Sequence, residues 1–244
     1  MTESNTNSSV DESLKEDFSY IQQKLQSEPT NDRLKVILFA TGSYCPVHKG
    51  HLHVFDVAAK YLIENHNIDV LAGYISPSCD DYVFSKLGED AIPFTHRYEM
   101  VRRACIEHNN QENSIPVFLS SWEGLSPSFV DFPSVRKRFQ KTINKIFPDK
   151  NIQVFYIAGA DLFVRCCLKY WKKCIAIERP GSYTLSSFHS DLSKHIYICN
   201  DPNYSDYYTD ASSTQMRTLH QNGESLQNIT YQSVIDYLRD VLHW

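Results

Sequence analysis

An apolar run from Leu34 to Ala40 leads without a break into Thr41-Gly42-Ser43-Tyr44-Cys45-Pro46-Val47-His48-Lys49-Gly50-His51, and from there into the stretch Leu52 to Leu62. The first run reads as a buried strand. In the last stretch Leu52, Phe55, Ala59 and Leu62 recur at helical spacing and define one face. Two histidines therefore stand where a strand ends and a helix begins. Such a corner exposes unpaired backbone N–H groups and the positive end of a helix dipole, both of which favour phosphate. Gly42 permits a tight turn and close approach of backbone to ligand. Imidazoles placed there can donate to phosphoryl oxygens and stabilise charge that develops in a transition state.

The same alternation continues along the chain. Strand-like runs are predicted at Lys35 to Ala40, Asp69 to Ser76, Ile115 to Ser120, Ile152 to Ala158, Lys173 to Glu178 and Lys194 to Cys199. Helices are predicted at His51 to Asn65, Thr95 to His108, Pro133 to Phe147, Ser213 to Gln221 and Tyr231 to Leu242. Inward positions are expected at Met100, Ala104 and Cys105, at Val135, Phe139, Ile143 and Ile146, and at Val234, Ile235, Leu238, Val241 and Leu242. Strands separated by helices imply βαβ units with right-handed crossovers. The expected fold is α/β: a Rossmann-like, doubly wound, mostly parallel sheet with helices on both faces. Ligands in such sheets bind beyond the carboxyl ends of the strands, near a topological switch point, and the 42–51 segment lies at such an end. Ser78 to Pro93 and Ser121 to Asp131 read as loops that line or cover a site.

Residues 1–30 read as a polar, partly disordered N-terminal extension, with a short helix over Phe18 to Leu25 packed on the domain, and 31–244 as a single domain. At 42% hydrophobic and 13% aromatic residues the chain can bury a full core. A net charge of −5 argues against a dedicated nucleic-acid binder and leaves room for a local basic site. Seven cysteines without regular spacing point to a reducing, intracellular compartment, cytoplasmic or nuclear. Neither a Cys-x-x-Cys pair nor a zinc-like cluster occurs, so no protein-held metal is expected. The N-terminus has no apolar secretory region, and no run approaches membrane-spanning length.

Three further constellations carry chemistry. In Asp210-Ala211-Ser212-Ser213-Thr214-Gln215-Met216-Arg217, hydroxyl residues precede a helix and an arginine follows one turn later. Serine or threonine at an N-cap is ordinary helix chemistry. Beside the first motif, the same arrangement suits the β- and γ-phosphates of a nucleotide. Ala158-Gly159-Ala160-Asp161-Leu162 places an acid at a strand end, ten residues before Trp171. Ser121-Trp122-Glu123 stands at another strand end. Each tryptophan can stack on a planar heterocycle or simply pack.

Together these residues resemble the nicotinamide/nicotinate mononucleotide adenylyltransferase family of the His-x-Gly-His nucleotidyltransferases. The matching pieces are Gly42 to His51, Gly73-Tyr74-Ile75-Ser76-Pro77, His96-Arg97, Ser121-Trp122-Glu123, Gly159-Ala160-Asp161-Leu162, Trp171, Arg179-Pro180-Gly181, Ser212 to Arg217 and Tyr231 to Leu238. The resemblance implies joining of ATP and a pyridine mononucleotide to give the dinucleotide and pyrophosphate, by in-line attack on the α-phosphate without a covalent intermediate. It implies catalysis by His51, His48 and Arg217. It implies ATP and phosphate binding by Gly42, Ser43, Tyr44, Lys86, Asp161, Ser212, Ser213, Thr214 and Arg217, and mononucleotide binding by Trp122, Trp171 and Arg179. Mg²⁺ would be held through ATP phosphates and water. Homo-oligomerisation stays open. Three departures stand out: Cys45 replaces the family's usual asparagine, Ala211 a branched aliphatic, and Thr218 a second basic residue. The alternatives are another nucleotidyltransferase, such as a pantetheine-phosphate adenylyltransferase or a cytidylyltransferase, and a weakly catalytic nucleotide-binding or chaperone-like homologue. A class I aminoacyl-tRNA synthetase fragment is disfavoured by the short length, the negative charge and the lack of a Lys-Met-Ser-Lys-like loop.

Overall fold

The computed structural model describes residues 16–27, 31–165, 172–178, 185, 196–199 and 211–244. Six strands, β1 (Lys35–Gly42), β2 (Asp69–Pro77), β3 (Val117–Leu119), β4 (Gln153–Gly159), β5 (Cys174–Ile177) and β6 (Ile196–Cys199), form one parallel sheet in the order β3-β2-β1-β4-β5-β6. The helices are α1 (Ser19–Ser27), α2 (Lys49–His66), α3 (Asp80–Leu87), α4 (Phe94–Asn109), α5 (Phe132–Ile146), α6 (Ala160–Arg165), α7 (Ser213–Gln221) and α8 (Gln232–Leu242). This is the doubly wound α/β architecture expected from the sequence. No helix among the described residues is long and apolar enough to cross a membrane.

The pleat of β1 divides the core. Val36, Leu38 and Ala40 point to one face, where they meet Leu52, Phe55, Ala58 and Leu62 of α2, Met100 and Ala104 of α4, and Val234 and Leu238 of α8. Ile37 and Phe39 point to the other face, against Ile21 of α1, Val135, Phe139 and Ile143 of α5, and Phe163 of α6. The four inner strands thus bury both faces, which is why these runs are continuously apolar rather than alternating. Burying one such large side chain stabilises the fold by about 1.5–3 kcal/mol. Gly73 on β2 lets α2 lie close, because a Cβ there would stand 2.4 Å from Phe55 Cδ1.

Three expectations change. Ile146 is exposed, because Phe147 takes the buried place at the end of α5. Val241 is exposed as well, Leu238 being the last fully buried residue of α8. The segment expected to be a loop, Ser78 to Pro93, contains α3 and a turn of 3₁₀ helix at Gly88–Asp90. Asp80 and Asp81 in the first turn of α3 complement its dipole. Only Val83 of α3 is buried, so no apolar stripe marked the helix in the sequence.

The first half of the chain lays down β1, β2 and β3 in one direction, and α5 then carries it back to β4 beside β1. The switch point is therefore the crevice beyond the carboxyl ends of β1 and β4. A polar layer underlies it. Thr41 Oγ1 and Tyr156 Oη share a hydrogen bond of 2.8 Å across the β1–β4 pair. Ser76 Oγ donates to Glu123 Oε2 at 2.8 Å, and the Ser78 hydroxyl bonds the same carboxylate.

Glu123 is 3% exposed. Burial raises its carboxyl to about 7 from 4.5, against the two serine hydroxyls and the nearby Arg97, which favour the anion. Between those two values the folded protein holds a proton that the unfolded chain has released, so stability falls as pH rises through this window and is fully present below it. The urea midpoint is expected to decline across that range, with a slope of up to about one proton per molecule, and the slope should flatten in Glu123→Gln. Equal slopes in the two proteins, measured by equilibrium unfolding, would place the pH dependence elsewhere.

Candidate active site

The β1–α2 corner is held from three sides. Tyr44 sits in the left-handed region at φ 46°, which is uncommon for a residue with a side chain, and a cis peptide joins Cys45 to Pro46. Ser213 Oγ donates to Pro46 O at 2.8 Å and Arg217 Nη1 to Cys45 O at 2.8 Å, so the start of α7 grips the turn. Thr230 Oγ1 donates to Val47 O at 2.8 Å, and Lys49 N to Ile229 O at 2.9 Å. The Cys45 thiol is buried. Its Sγ accepts a hydrogen bond from Ile92 N at 3.2 Å, tying the corner to the segment after α3. Where the resembling family has asparagine, this chain uses the side chain to brace its own loop.

Both signature histidines face this corner. His51 Nδ1 accepts the backbone N–H of His48 at 3.1 Å. A nitrogen that accepts cannot carry the ring proton, so neutral His51 is protonated on Nε2 and can donate from there. The two imidazoles stack with centroids 3.5 Å apart, and the Tyr44 ring meets His51 edge-on at 4.8 Å. These contacts hold the His51 ring before any ligand arrives.

A cavity of about 480 Å³ opens over these residues. Its lining includes Gly42, Ser43, Tyr44, His48 and His51 from the first corner, Lys86 from α3, Asp161 from α6, and Ser212, Ser213, Thr214 and Arg217 from the start of α7. The carboxyl ends of β4, β5 and β6 complete it with Ile157, Ile177 and Cys199. All eleven residues expected to bind ATP or its phosphates, or to act on them, thus gather at one site. The volume is in the usual range for small-molecule pockets.

Three cations, Lys86, Arg165 and Arg217, line the cavity together with two acids, Asp161 and Glu178. Lys86 Nζ lies 3.4 Å from Ser43 Oγ. Burial, and then the positive charges of Arg165 and Arg217, hold its amine below the usual lysine range. Asp161 accepts from Arg165 Nη2 at 2.7 Å. Arg217 Nε pairs with Asp90 Oδ2 at 3.3 Å while its Nη2 donates to Thr214 Oγ1 at 3.3 Å. Ser212 caps α7 by accepting from Gln215 N at 3.0 Å, so the first turn of that helix also opens toward the cavity.

Trp122 stands apart. It does not line the cavity but packs with the core face that holds α5, and the Arg138 guanidinium covers its ring at 4.4 Å. A cation over the indole face is itself a favourable contact, so this ring is already engaged. Trp171 and Arg179 lie outside the described residues.

Arg97 entered the sequence reading only within the matching pair His96-Arg97, with no role assigned to it, and Asp90 and Arg165 did not enter it. Arg97 was legible in principle: it precedes Met100, Val101 and Ala104 on the inward face of α4, where a charge is out of place. Asp90 and Arg165 follow no pattern that singles them out.

Comparison with known proteins gives the same picture. The cytidylyltransferase-like family model matches residues 39–219. The chain is 26% identical over 251 residues to nicotinamide/nicotinic acid mononucleotide adenylyltransferase 1 of Saccharomyces cerevisiae, covering 92% of this chain and 59% of that protein. With the nicotinamide/nicotinic acid mononucleotide adenylyltransferase of Arabidopsis thaliana it shares 27% identity over 231 residues, covering 86% and 90%. Its fold is similar to that of the nicotinic acid mononucleotide adenylyltransferase of Plasmodium falciparum solved with NaAD, at a TM-score of 0.57 and 20% identity over 84% of this chain and 94% of that one. The chain spans about three fifths of the length of the yeast relatives. By the extent of the family match, the chain belongs to the cytidylyltransferase-like family.

Proposed function

We propose that this protein is an adenylyltransferase that joins ATP to a pyridine mononucleotide and releases pyrophosphate. The observation that carries the reading is the convergence of two stacked histidines, two helix starts, Lys86 and Arg217 on one cavity at the switch point of the sheet. The pyridine part rests on the names of the relatives and on the motifs by which the sequence resembles that family.

In this reading the mononucleotide's 5′-phosphate oxygen forms a bond to the α-phosphorus of ATP. The bond from that phosphorus to the bridging oxygen breaks, and pyrophosphate leaves with the electron pair. His51 donates from Nε2 to an α-phosphoryl oxygen, where charge develops, and His48 supports it. Ser212, Ser213, Thr214, Lys86 and Arg217 hold the leaving pyrophosphate. Ser43 and Tyr44 line the path of the α-phosphate, and Asp161 meets the adenosine ribose. The rate then comes from positioning and charge neutralisation.

Magnesium fits as part of the nucleotide. Of the two carboxylates that line the cavity, Asp161 is paired with Arg165 and Glu178 accepts the backbone N–H of Leu185, while Asp90 pairs with Arg217 beside it, so the oxygen ligands for the ion are mainly those of the phosphates and water. When bound, it would neutralise charge on the polyphosphate. The buried thiols of Cys45, Cys79, Cys105, Cys174 and Cys199, none of them in a disulfide, suit a reducing cytoplasmic or nuclear setting. Residues 31–244 form the nucleotidyltransferase domain, and residues 1–30 an extension whose helix α1 rests on its sheet through Ile21.

Pyrophosphate release with MgATP should occur with nicotinamide or nicotinate mononucleotide and yield the matching dinucleotide. Release with phosphopantetheine alone would move the protein to a different nucleotidyltransferase reaction. ATP binding without any release would mark it as a nucleotide-binding protein. His51→Ala is expected to lower kcat by about 10²–10³-fold, the cost of losing one preorganised donor, with the protein still folded. Asp90→Asn frees Arg217 from its internal partner and removes a negative charge from the cavity mouth. It should tighten MgATP binding by about threefold to tenfold in calorimetry, the scale of one partly exposed ion pair. Unchanged or weaker binding would show that Asp90 does not compete with phosphate.

A further inference from the structure

Arg97 is 0% exposed, although arginine is among the residues that proteins bury least. Its guanidinium donates from Nε to Ile92 O at 2.8 Å, from Nη1 to Ser43 O at 2.9 Å, and from Nη2 to Ser78 O at 2.7 Å and Asp80 Oδ1 at 2.9 Å. These acceptors belong to three separate segments: the turn after β1, the turn after β2, and the approach to α4. Taking a cation out of water costs several kcal/mol, which hydrogen bonding must offset. The planar fork of arginine supplies donors in several fixed directions at once, whereas lysine carries a single point charge.

The bond to Ser43 O has a geometric consequence. Only the Cys45–Pro46 peptide is cis among the described residues, so the Ser43–Tyr44 peptide is trans. In a trans peptide the C=O and the following N–H point in opposite directions. Drawing Ser43 O inward to Arg97 therefore turns the Tyr44 N–H outward. Ser43 and Tyr44 both line the cavity, and Tyr44 has the positive φ that helps successive N–H groups form a concave anion nest.

We propose that Arg97 is a positioning residue for the reacting phosphate: it fixes the Ser43–Tyr44 peptide so that the Tyr44 N–H faces the cavity as a preorganised donor. Arg97 itself touches no substrate. It acts through the turn, and through Ser78 and Ile92 it holds both ends of the segment that carries Lys86 in register with that turn. The inference rests on the adenylyl-transfer reading for the identity of the phosphate, while the orientation of the peptide stands on the hydrogen bonds alone.

The test compares wild type, Arg97→Lys and Arg97→Ala, each with and without added guanidinium, alongside Asp80→Asn, whose half-exposed side chain makes it the milder variant. Arg97→Lys should lower kcat by about 10²-fold, the scale of a misplaced catalytic geometry, and weaken MgATP binding by about tenfold. KM for the mononucleotide should stay within about threefold, because the lost donor serves the ATP phosphate. Guanidinium should restore about tenfold of the lost rate to Arg97→Ala and none to wild type. Asp80→Asn, with one of the four bonds weakened, should keep its fold and lose about threefold to tenfold in kcat. Wild-type kcat in folded Arg97→Lys would overturn the proposal. So would a KM increase shared equally by both substrates without rescue, and so would unaltered kcat in Asp80→Asn if both Arg97 variants fail to fold. Absence of turnover in wild type would instead sink the adenylyl-transfer reading. MgATP affinity then decides the role of Arg97 by itself, and equal affinity in wild type and Arg97→Lys would reject it.

Discussion

A guanidinium sealed inside the protein, bonded to Ile92 O, Ser43 O, Ser78 O and Asp80, joins the turns that follow β1 and β2. Most of the molecule's architecture could be assembled from apolar packing alone, because both sheet faces are covered by helices with buried stripes. Packing does not specify the conformation of turns beyond the strand ends, where backbone polar groups need partners. Arg97 supplies several of those partners from one side chain. Asp80 extends the link, since its Oδ1 also accepts the first N–H of α4 at 2.7 Å. The helix that carries Arg97 is thus capped by the same carboxylate that balances its charge.

The cavity above is built on an imbalance of charge. Lys86, Arg165 and Arg217 crowd together, and burial first, then the two arginines, push the lysine amine down. In the protein without ligand, Asp90 and Asp161 take up part of that positive potential through Arg217 and Arg165. A polyphosphate entering the site would compete with both acids for the arginines and meet Lys86 beside them. The chain as a whole is acidic, with a net charge of −5, so the basic character is local.

Much of this was legible in the sequence. Both faces of β1, the buried stripe of α2 and the inward residues of α4 followed from periodicity, because the parallel sheet and its helices bury long regular runs. The His48–His51 pair and the Ser212–Arg217 group were recognisable because phosphate chemistry needs donors at helix starts, and such starts carry compact motifs. Helix α3 was not legible, since it buries one residue and owes its place to Asp80, Asp81 and the Arg97 bonds. The role of Cys45 was not legible either: the sequence shows a departure, and only the fold reveals that its sulfur meets Ile92, 47 positions along the chain. Trp122 illustrates the opposite case, an aromatic at a strand end whose ring is covered by Arg138.

The sequence by itself determined the α/β class, the parallel sheet and the segments whose residue types suit phosphate, because hydrophobic period and helix-start chemistry are local properties. The tertiary structure decided which of those segments share a cavity, that Lys86 joins them and that Trp122 does not. It also decided that Arg97 is buried between three turns and that Asp90 answers Arg217. These pairings link residues up to 172 positions apart, and no local pattern encodes such a meeting. It arises only when the strand order brings β1 beside β4 and the start of α7 over the turn between β1 and α2.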